Sequence, residues 1–206
     1  MKKVFLIVAV LLAGASCFAQ KKESQKNVIS EQFGVVAPIG VMEYENNLGP
    51  AYGLSYQRNF TPNFGLITGI NLYGFKYDMV VLNEALNEYL DLTGKYFANG
   101  QAKGSRCYNI GIGFVESLEL GNSGFFIESY DELVVGVYKD PAVTIDNIVL
   151  ESVGYLQIGG KFGFQLYKMF GGFGLGLSAD YTIGTPHFIG GRVQYVTTQL
   201  KLVQKF

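Results

Sequence analysis

The alternation of apolar and polar residues constrains the fold of this chain more than any other feature. Between Gly172 and Thr182, apolar side chains occupy every second position from Phe173 to Tyr181, with glycine, serine, aspartate and threonine at the other positions. Successive side chains of a β-strand point to opposite faces, so this period predicts a strand with one apolar face. The chain is therefore expected to be all-β.

Eight segments of this kind follow one another along the chain. They are Ile29–Ile39, Tyr52–Phe60, Phe64–Tyr77, Tyr108–Leu120, Phe125–Tyr138, Tyr155–Leu166, Gly172–Thr182 and Ile189–Phe206. A tilted strand that crosses a bilayer needs about 9 to 11 residues, and these segments provide them.

The connections between the segments alternate in length. The short ones are Thr61–Asn63, Gly121–Gly124 and Lys168–Phe170, and the longer ones are Val41–Pro50, Met79–Arg106, Lys139–Glu151 and Ile183–His187. This wiring is typical of outer-membrane barrels with both termini on the side of the short turns. The predicted fold is a closed, antiparallel, eight-stranded, up-and-down transmembrane β-barrel. Closure matters because an open edge in lipid leaves unpaired backbone groups.

The N-terminus has the order of a secretory signal peptide. Lys2 and Lys3 precede the apolar run Val4–Ala13, and small residues lead to a cleavage position after Ala19. Acylation of Cys17 is an open alternative. The expected organisation is a signal peptide at 1–19, a short periplasmic stub at 20–27 and an outer-membrane barrel at 28–206.

The composition of the polar face decides which face points outward. A soluble lipocalin-like barrel alternates as well, but its outer face is normally rich in Lys and Glu. Here only 16% of residues are charged, against roughly 25% in soluble domains. The polar positions are mostly Gly, Ser, Asn, Gln and Tyr, which suit a narrow interior. The apolar face is therefore predicted to contact lipid.

Aromatic residues near the strand ends predict two girdles at the bilayer interfaces. One set lies near the short turns: Phe60, Phe64, Tyr167, Phe170 and Phe206. The other lies near the long loops: Tyr73, Phe75, Tyr77, Tyr138, Tyr155 and Tyr181.

The chain resembles the small outer-membrane β-barrels of the OmpA/OmpX-like family, and within it the porin-family or PorT-like proteins of Bacteroidota. The resemblance is carried by Ala19-Gln20, Gly111-Ile112-Gly113, Gly172–Gly176, the turn Asn59–Gly65 and the terminal Phe206. It implies that Phe206 is an assembly signal read by the barrel assembly machinery, and that outer-membrane lipid is a partner.

Five charged residues on inward positions predict a polar network in the lumen: Glu128, Glu132, Lys161, Asp180 and Lys201. Glu128 and Glu132 are about 13 Å apart along one strand, too far for a glycosidase pair. A buried network that holds the strand register is the expected role. No catalytic residue, cofactor or metal ligand is expected. His187 lacks a neighbouring serine, and Cys107 has no second Cys or His nearby.

The long segment Met79–Arg106 contains an amphipathic helical stripe of Leu82, Leu86, Tyr89 and Leu90. Such a helix would cap the extracellular mouth or present a partner-binding surface.

The net charge of −1 gives no indication of a nucleic-acid partner. A structural or surface-interaction role through the outer loops is the first functional hypothesis. The alternative is a small-solute conduit or ligand-binding barrel, because inward glycines could leave a cavity. For a third hypothesis, a lipid-modifying enzyme, the sequence lacks the expected set of catalytic residues.

Overall fold

The computed structural model describes residues 27–40, 42–43, 46–91, 100–121, 123–145, 148–186 and 192–206. The predicted signal peptide and almost all of the predicted stub lie outside these ranges, as does His187. Among the described residues, no helix has the length and apolar character required to cross a bilayer.

The described chain consists of strands and one long helix. In chain order these are β1 (Asn27–Pro38), β2 (Asn46–Asn47), β3 (Gly49–Thr61), β4 (Phe64–Gly74), β5 (Lys76–Tyr77), α1 (Met79–Asp91), β6 (Gly100–Ala102), β7 (Arg106–Glu119), β8 (Phe125–Lys139), β9 (Val143–Ile145), β10 (Ile148–Leu150), β11 (Gly154–Phe170), β12 (Phe173–Pro186) and β13 (Arg192–Lys205).

Eight of these strands form a closed barrel in the order β1-β13-β12-β11-β8-β7-β4-β3. Each is antiparallel to both neighbours, and the first and last strands close the ring from Val28 opposite Lys205 to Pro38 opposite Tyr195. The backbone N–H of Asn27 donates to the carbonyl of Phe206 at 3.1 Å, and that of Phe206 donates back at 3.0 Å. The predicted closed, eight-stranded, antiparallel fold is confirmed.

The two faces of the barrel wall divide as the composition predicts. On β11, Phe164 is 69% exposed on the outer face, whereas Lys161 is 3% exposed on the inner face. Leu, Ile, Val and Phe cover most of the outside of the other strands as well. Because side chains alternate between the two faces with a period of two residues, the face of one residue determines the face of every other residue in a regular strand.

Two predicted connections are placed wrongly. Lys168–Phe170 continues β11, and the turn falls at Gly171 and Gly172. Gly171 has a φ of +69°, a conformation that glycine adopts without the steric cost of a side chain. Ile183–Pro186 belongs to β12 and pairs with β13 through a register shift.

The prediction of aromatic girdles is partly wrong. Phe60, Phe64 and Phe170 face outward near the short turns, as expected. Tyr73, Phe75, Tyr138 and Tyr167 instead point into the barrel and are almost completely buried. Their position near a strand end suggested a girdle, but their register parity places them on the inner face.

The three short turns, the first described residue Asn27 and the last residue Phe206 lie at one end of the barrel, which we call the short-turn end. The opposite long-loop end carries additional structure. Strands β10, β9 and β6 form a three-stranded sheet, and β2 pairs with β5. Helix α1 contacts β6. The described parts of the segments predicted as long loops therefore contain regular secondary structure.

Candidate functional site

A first cluster in the interior is centred on Glu128 of β8. Its carboxylate accepts hydrogen bonds from the Tyr167 hydroxyl at 2.7 Å and the Gln57 amide at 3.2 Å. The Gln165 amide donates to its other oxygen, and the Lys201 ammonium donates to the Gln165 carbonyl oxygen. The cluster thus connects four strands, β3, β8, β11 and β13.

A second cluster lies farther along the same face of β8. Lys161 Nζ is 3.0 Å from Glu132 Oε1 and 5.1 Å from the centre of the Tyr130 ring. The Tyr130 hydroxyl donates to Asp180 Oδ2 at 3.2 Å. The five charged residues that the sequence places on inward positions therefore all lie inside the barrel, divided between these two clusters.

Inward glycines make room for the side chains of these clusters. A Cβ on Gly163 would lie 2.4 Å from Cζ of the Tyr130 ring, and one on Gly111 would clash with the Glu132 carboxylate. Gln157 occupies the corresponding space beside Gly184. At these positions, the space is already taken by a neighbouring side chain.

An aromatic cluster fills the interior beneath the long-loop end. Tyr195 packs against Tyr73 and Phe75 with ring centres 4.8 and 5.7 Å apart, and Phe75 packs against Tyr138 at 6.3 Å. Asn109 donates to the Tyr195 hydroxyl at 2.5 Å. This cluster is not among the sequence predictions, although the inward parity of its residues on their strands is the signal that identifies it.

Residues of the long loops extend this cluster upward. Asn46 of β2 donates to the Tyr138 hydroxyl at 3.3 Å, and the Ser105 hydroxyl donates to Asn46 at 2.8 Å. The side chain of Met42 is buried in the same cluster.

Cys107 is a buried free thiol whose sulfur lies 3.0 Å from Gln157 Oε1. The described residues include no group of three or more side chains suited to a metal ion.

A smaller cluster fills the interior at the short-turn end. The rings of Phe126 and Tyr167 stack at 5.2 Å, and Lys205 Nζ lies 3.3 Å from the centre of the Phe126 ring. Val28 and Val203 pack beside them. Phe206 is partly buried and pairs with Asn27 through the backbone.

Between the clusters at the two ends of the barrel, several buried polar atoms have no hydrogen-bond partner within the described protein. They include both polar side-chain atoms of Gln199, the amide nitrogens of Asn71 and Gln157, and one carboxylate oxygen each of Asp180 and Glu132. Because buried polar atoms are normally paired, this middle layer has the character of a hydrated zone.

The long-loop end has an ordered entry into its helix. Asp78 precedes α1 and accepts hydrogen bonds from the backbone N–H groups of Val80 and Val81 at 2.9 and 3.3 Å, which is an N-cap. The Asn47 amide donates to its other oxygen at 3.0 Å. The hydrogen bonds from Val81, Asn47 and Val80 hold the pKa of Asp78 below its usual value.

The helix that the stripe predicts is present as Met79–Asp91. The side chains of Leu82, Leu86, Tyr89 and Leu90 lie outside the described residues, so the role of the stripe stays a prediction. Asn83 on the same helix accepts a hydrogen bond from Gly100 N–H of β6 at 2.7 Å, which ties the helix to the small sheet.

Apolar side chains are exposed on this folded end. Val80 at the start of α1 is 66% exposed and Val149 of β10 is 61% exposed. Leu48, Leu150 and Val153 are also exposed. These residues lie in connections rather than in the barrel wall, so contact with a bilayer core does not account for them.

The sequence matches no established family profile and no curated protein. Its fold is similar to that of Neisserial surface protein A, with a TM-score of 0.60 and 11% identity over 89% of this chain and 98% of that chain. The N-terminal β-barrel domain of OprF from Pseudomonas aeruginosa gives a TM-score of 0.54 and 13% identity over 89% of this chain and 100% of that domain.

A major outer membrane protein from Thermus thermophilus gives a TM-score of 0.52 and 11% identity over 87% of this chain and 99% of that chain. At these identities the similarity concerns the fold alone. The chain has the closed eight-stranded barrel fold found in small outer-membrane proteins.

Proposed function

We propose that this chain is an outer-membrane β-barrel protein whose role is structural or surface interaction through its long-loop end. In this arrangement the short-turn end faces the periplasm and the segment 1–19 directs export. The apolar outer face supports the membrane location, because a wall of exposed Leu, Ile, Val and Phe is unsuited to water.

The observation that carries the interaction role is the folded long-loop end. Strands β6, β9 and β10, helix α1 and the Asp78 cap form an ordered surface beyond the barrel wall. Exposed Val80 and Val149 give this surface apolar character. Ordered apolar patches that are exposed to water are typical of protein interaction sites.

The interior supports a structural role for the barrel itself. Aromatic and polar clusters fill it at both ends, so an open pore is not part of the proposal. The network of Glu128, Glu132, Lys161, Asp180 and Lys201 holds β8, β11, β12 and β13 in register, and no catalytic step is assigned to it. The proposal also includes the PorT-like relationship within Bacteroidota and recognition of Phe206 by the barrel assembly machinery.

Protease accessibility tests the proposed location and orientation. A cleavage site inserted after Gly104 at the long-loop end should be cut in intact cells, and a matched site inserted after Gly121 should be cut only after the outer membrane is permeabilised. Recovery of the native protein in the soluble fraction without detergent would refute the membrane location.

Binding of whole cells to a panel of immobilised extracellular proteins tests the interaction role. Val80→Asp combined with Val149→Asp should weaken any binding that the wild type shows, while Val137→Ile in the barrel wall should not. If the wild type binds no member of the panel and the double variant behaves identically, the interaction role is rejected and the structural role remains.

A small-solute conduit is the second candidate. The unpartnered polar atoms of the middle layer, among them those of Gln199 and Asn71, favour it because they suit a hydrated interior. Planar-bilayer recordings separate the candidates: discrete conductance steps would support the conduit, and their absence from correctly folded protein would support a sealed barrel.

A further inference from the structure

The apolar outer face is interrupted on neighbouring strands β7 and β8. Glu116 and Asp131 point outward and are exposed, and Ser129 lies between them on the same face. Glu116 is directly opposite Ser129 in the strand ladder, and Asp131 is directly opposite Phe114. The two carboxylates are thus diagonal neighbours, about 7–8 Å apart at their Cα atoms.

A groove of about 370 Å³ opens beside Glu116, whereas Asp131 lies on the same outer face, two residues along β8 from Ser129 and outside the groove lining. Its position follows from side-chain size along one row of paired residues, Phe64–Glu116–Ser129–Phe164, on β4, β7, β8 and β11. Ser129 is small and forms the floor, whereas the two phenylalanines form opposite walls. Leu118 and Ile127 line the groove toward the short-turn end.

The groove reaches the edge of the barrel at the turn between β3 and β4. Asn63 of this turn lines it, and the Asn63 carbonyl accepts a hydrogen bond from Ser117 N–H at 2.9 Å. The Phe64 and Phe114 rings stack beside it at 5.5 Å. A polar turn next to aromatic rings is the composition expected where hydrocarbon gives way to headgroups.

The charge of this groove is unbalanced. In the described part of the chain, the one ion pair within 4.0 Å is that of Lys161 and Glu132 in the lumen, so Glu116 and Asp131 have no described cation beside them. Carboxylates on a lipid-facing surface are unfavourable unless they are paired. An occupant with an apolar body and a cationic end would therefore complement both the phenylalanine walls and the Glu116 carboxylate.

We propose that this groove binds phosphatidylethanolamine of the periplasmic leaflet, with its primary ammonium beside Glu116 and an acyl chain against Phe164, while the neighbouring Asp131 adds to the negative charge that attracts the ammonium. The assignment rests on the proposed membrane location. A lipid fits better than a protein segment because the groove lies within the surface that lipid already covers. An ammonium group donates hydrogen bonds to carboxylates, a quaternary amine cannot, and an anionic headgroup is repelled.

Competitive lipid retention tests this assignment. Purified protein, delipidated in a non-ionic detergent, is mixed with equal amounts of phosphatidylethanolamine, phosphatidylcholine and phosphatidylglycerol of identical acyl chains. Native mass spectrometry then measures which lipid stays bound. Phosphatidylethanolamine should be retained above the other two. Glu116→Gln with Asp131→Asn should lower its retention about threefold to fivefold, as expected for loss of partly exposed ion pairs.

Matched variants separate charge from shape. Glu31→Gln removes an outward carboxylate from β1, on the opposite side of the barrel, and should leave retention unchanged. Ser129→Phe fills the floor and should abolish retention while both carboxylates remain. Heat-dependent gel mobility verifies that each variant is folded.

Two results would overturn the lipid site. One is equal retention of phosphatidylcholine and phosphatidylethanolamine by the wild type. The other is unchanged retention in the folded Glu116→Gln/Asp131→Asn variant. Neither affects the membrane location, which fails separately if the wild type does not insert into phosphatidylcholine vesicles.

Discussion

Replacing Lys161 by methionine removes the ammonium group from the middle cluster of the lumen while keeping most of the side-chain volume. Its Nζ lies 3.0 Å from Glu132 Oε1, and it also interacts electrostatically with Asp180. All three side chains are almost completely buried. The substitution therefore leaves two carboxylates near each other without the cation between them.

The expected cost follows from the burial of this pair. Removing one partner of a buried ion pair typically costs about 3–5 kcal/mol, because the remaining charge is uncompensated. Replacing both partners by apolar residues of similar size is often close to neutral. We therefore expect Lys161→Met to destabilise the barrel by about 3–5 kcal/mol. Lys161→Met combined with Glu132→Leu should recover part of that loss, and the rest reflects Asp180.

Unfolding by guanidinium chloride in detergent micelles measures these differences. The sequence has no tryptophan, so circular dichroism and gel mobility are the suitable signals. Lys139→Met is the matched control, because Lys139 lies exposed at the long-loop end of β8. Its substitution should change the free energy of unfolding by no more than about 0.5 kcal/mol.

A small effect would refute the reasoning. If Lys161→Met costs less than about 1 kcal/mol, water in the middle layer solvates Glu132 and Asp180 well enough to replace the ammonium group, and the ion pair does not stabilise the barrel. Failure of the Lys161→Met/Glu132→Leu variant to recover any stability would show that the two residues act independently.

Three further predictions concern packing, the helix cap and assembly. Gly163→Ala should destabilise the barrel by about 1–3 kcal/mol in the same unfolding assay, because the new methyl overlaps the Tyr130 ring, whereas Gly172→Ala, with its nearest atom 3.7 Å away, should be nearly neutral. The hydrogen bonds to Asp78 lower its pKa, so they stabilise the helix entry above the usual pKa of the group and are lost as the pH falls through the lowered value. Asp78→Ala should therefore speed proteolysis of α1 at neutral pH, and equal rates would contradict the cap. Deleting Phe206 should lower the heat-modifiable fraction in membranes without preventing refolding in detergent, and equal loss in both would indicate a folding defect instead.

The face on which each side chain lies was predictable, because side chains alternate between the two faces of a strand with a period of two residues. Every residue from Phe173 to Tyr181 lies on the face that its parity assigns. The inner positions of Lys161 and Glu132 follow from the same count, but their contact across β8 and β11 does not. Which inward side chains meet depends on the stagger between strands, and that is set by all eight pairings together.

Other features had weaker local signals. The turn at Gly171 was misplaced because Lys168 is as compatible with a turn as with a strand. The pairing of β6 with β9 joins segments about 40 residues apart, and neither alternates for long enough to predict a strand. Distance from the strand end alone predicts a girdle position for Tyr73 and Tyr138, whereas their parity assigns them to the lumen, where they are buried.

The inner face also limits where this protein can act on other molecules. A barrel of eight strands has an interior that side chains fill, and here Tyr195, Tyr130 and Tyr167 lie at successive levels of it. Inward glycines such as Gly163 enlarge the space locally, but the structure uses that space for a tyrosine ring. Because side chains fill both ends of the lumen, two surfaces are left for contact with other molecules: the folded long-loop end and the lipid-facing wall. The polar groove at Glu116 on that wall is unfavourable for a barrel that only contacts hydrocarbon, and this is the reason to expect an occupant there.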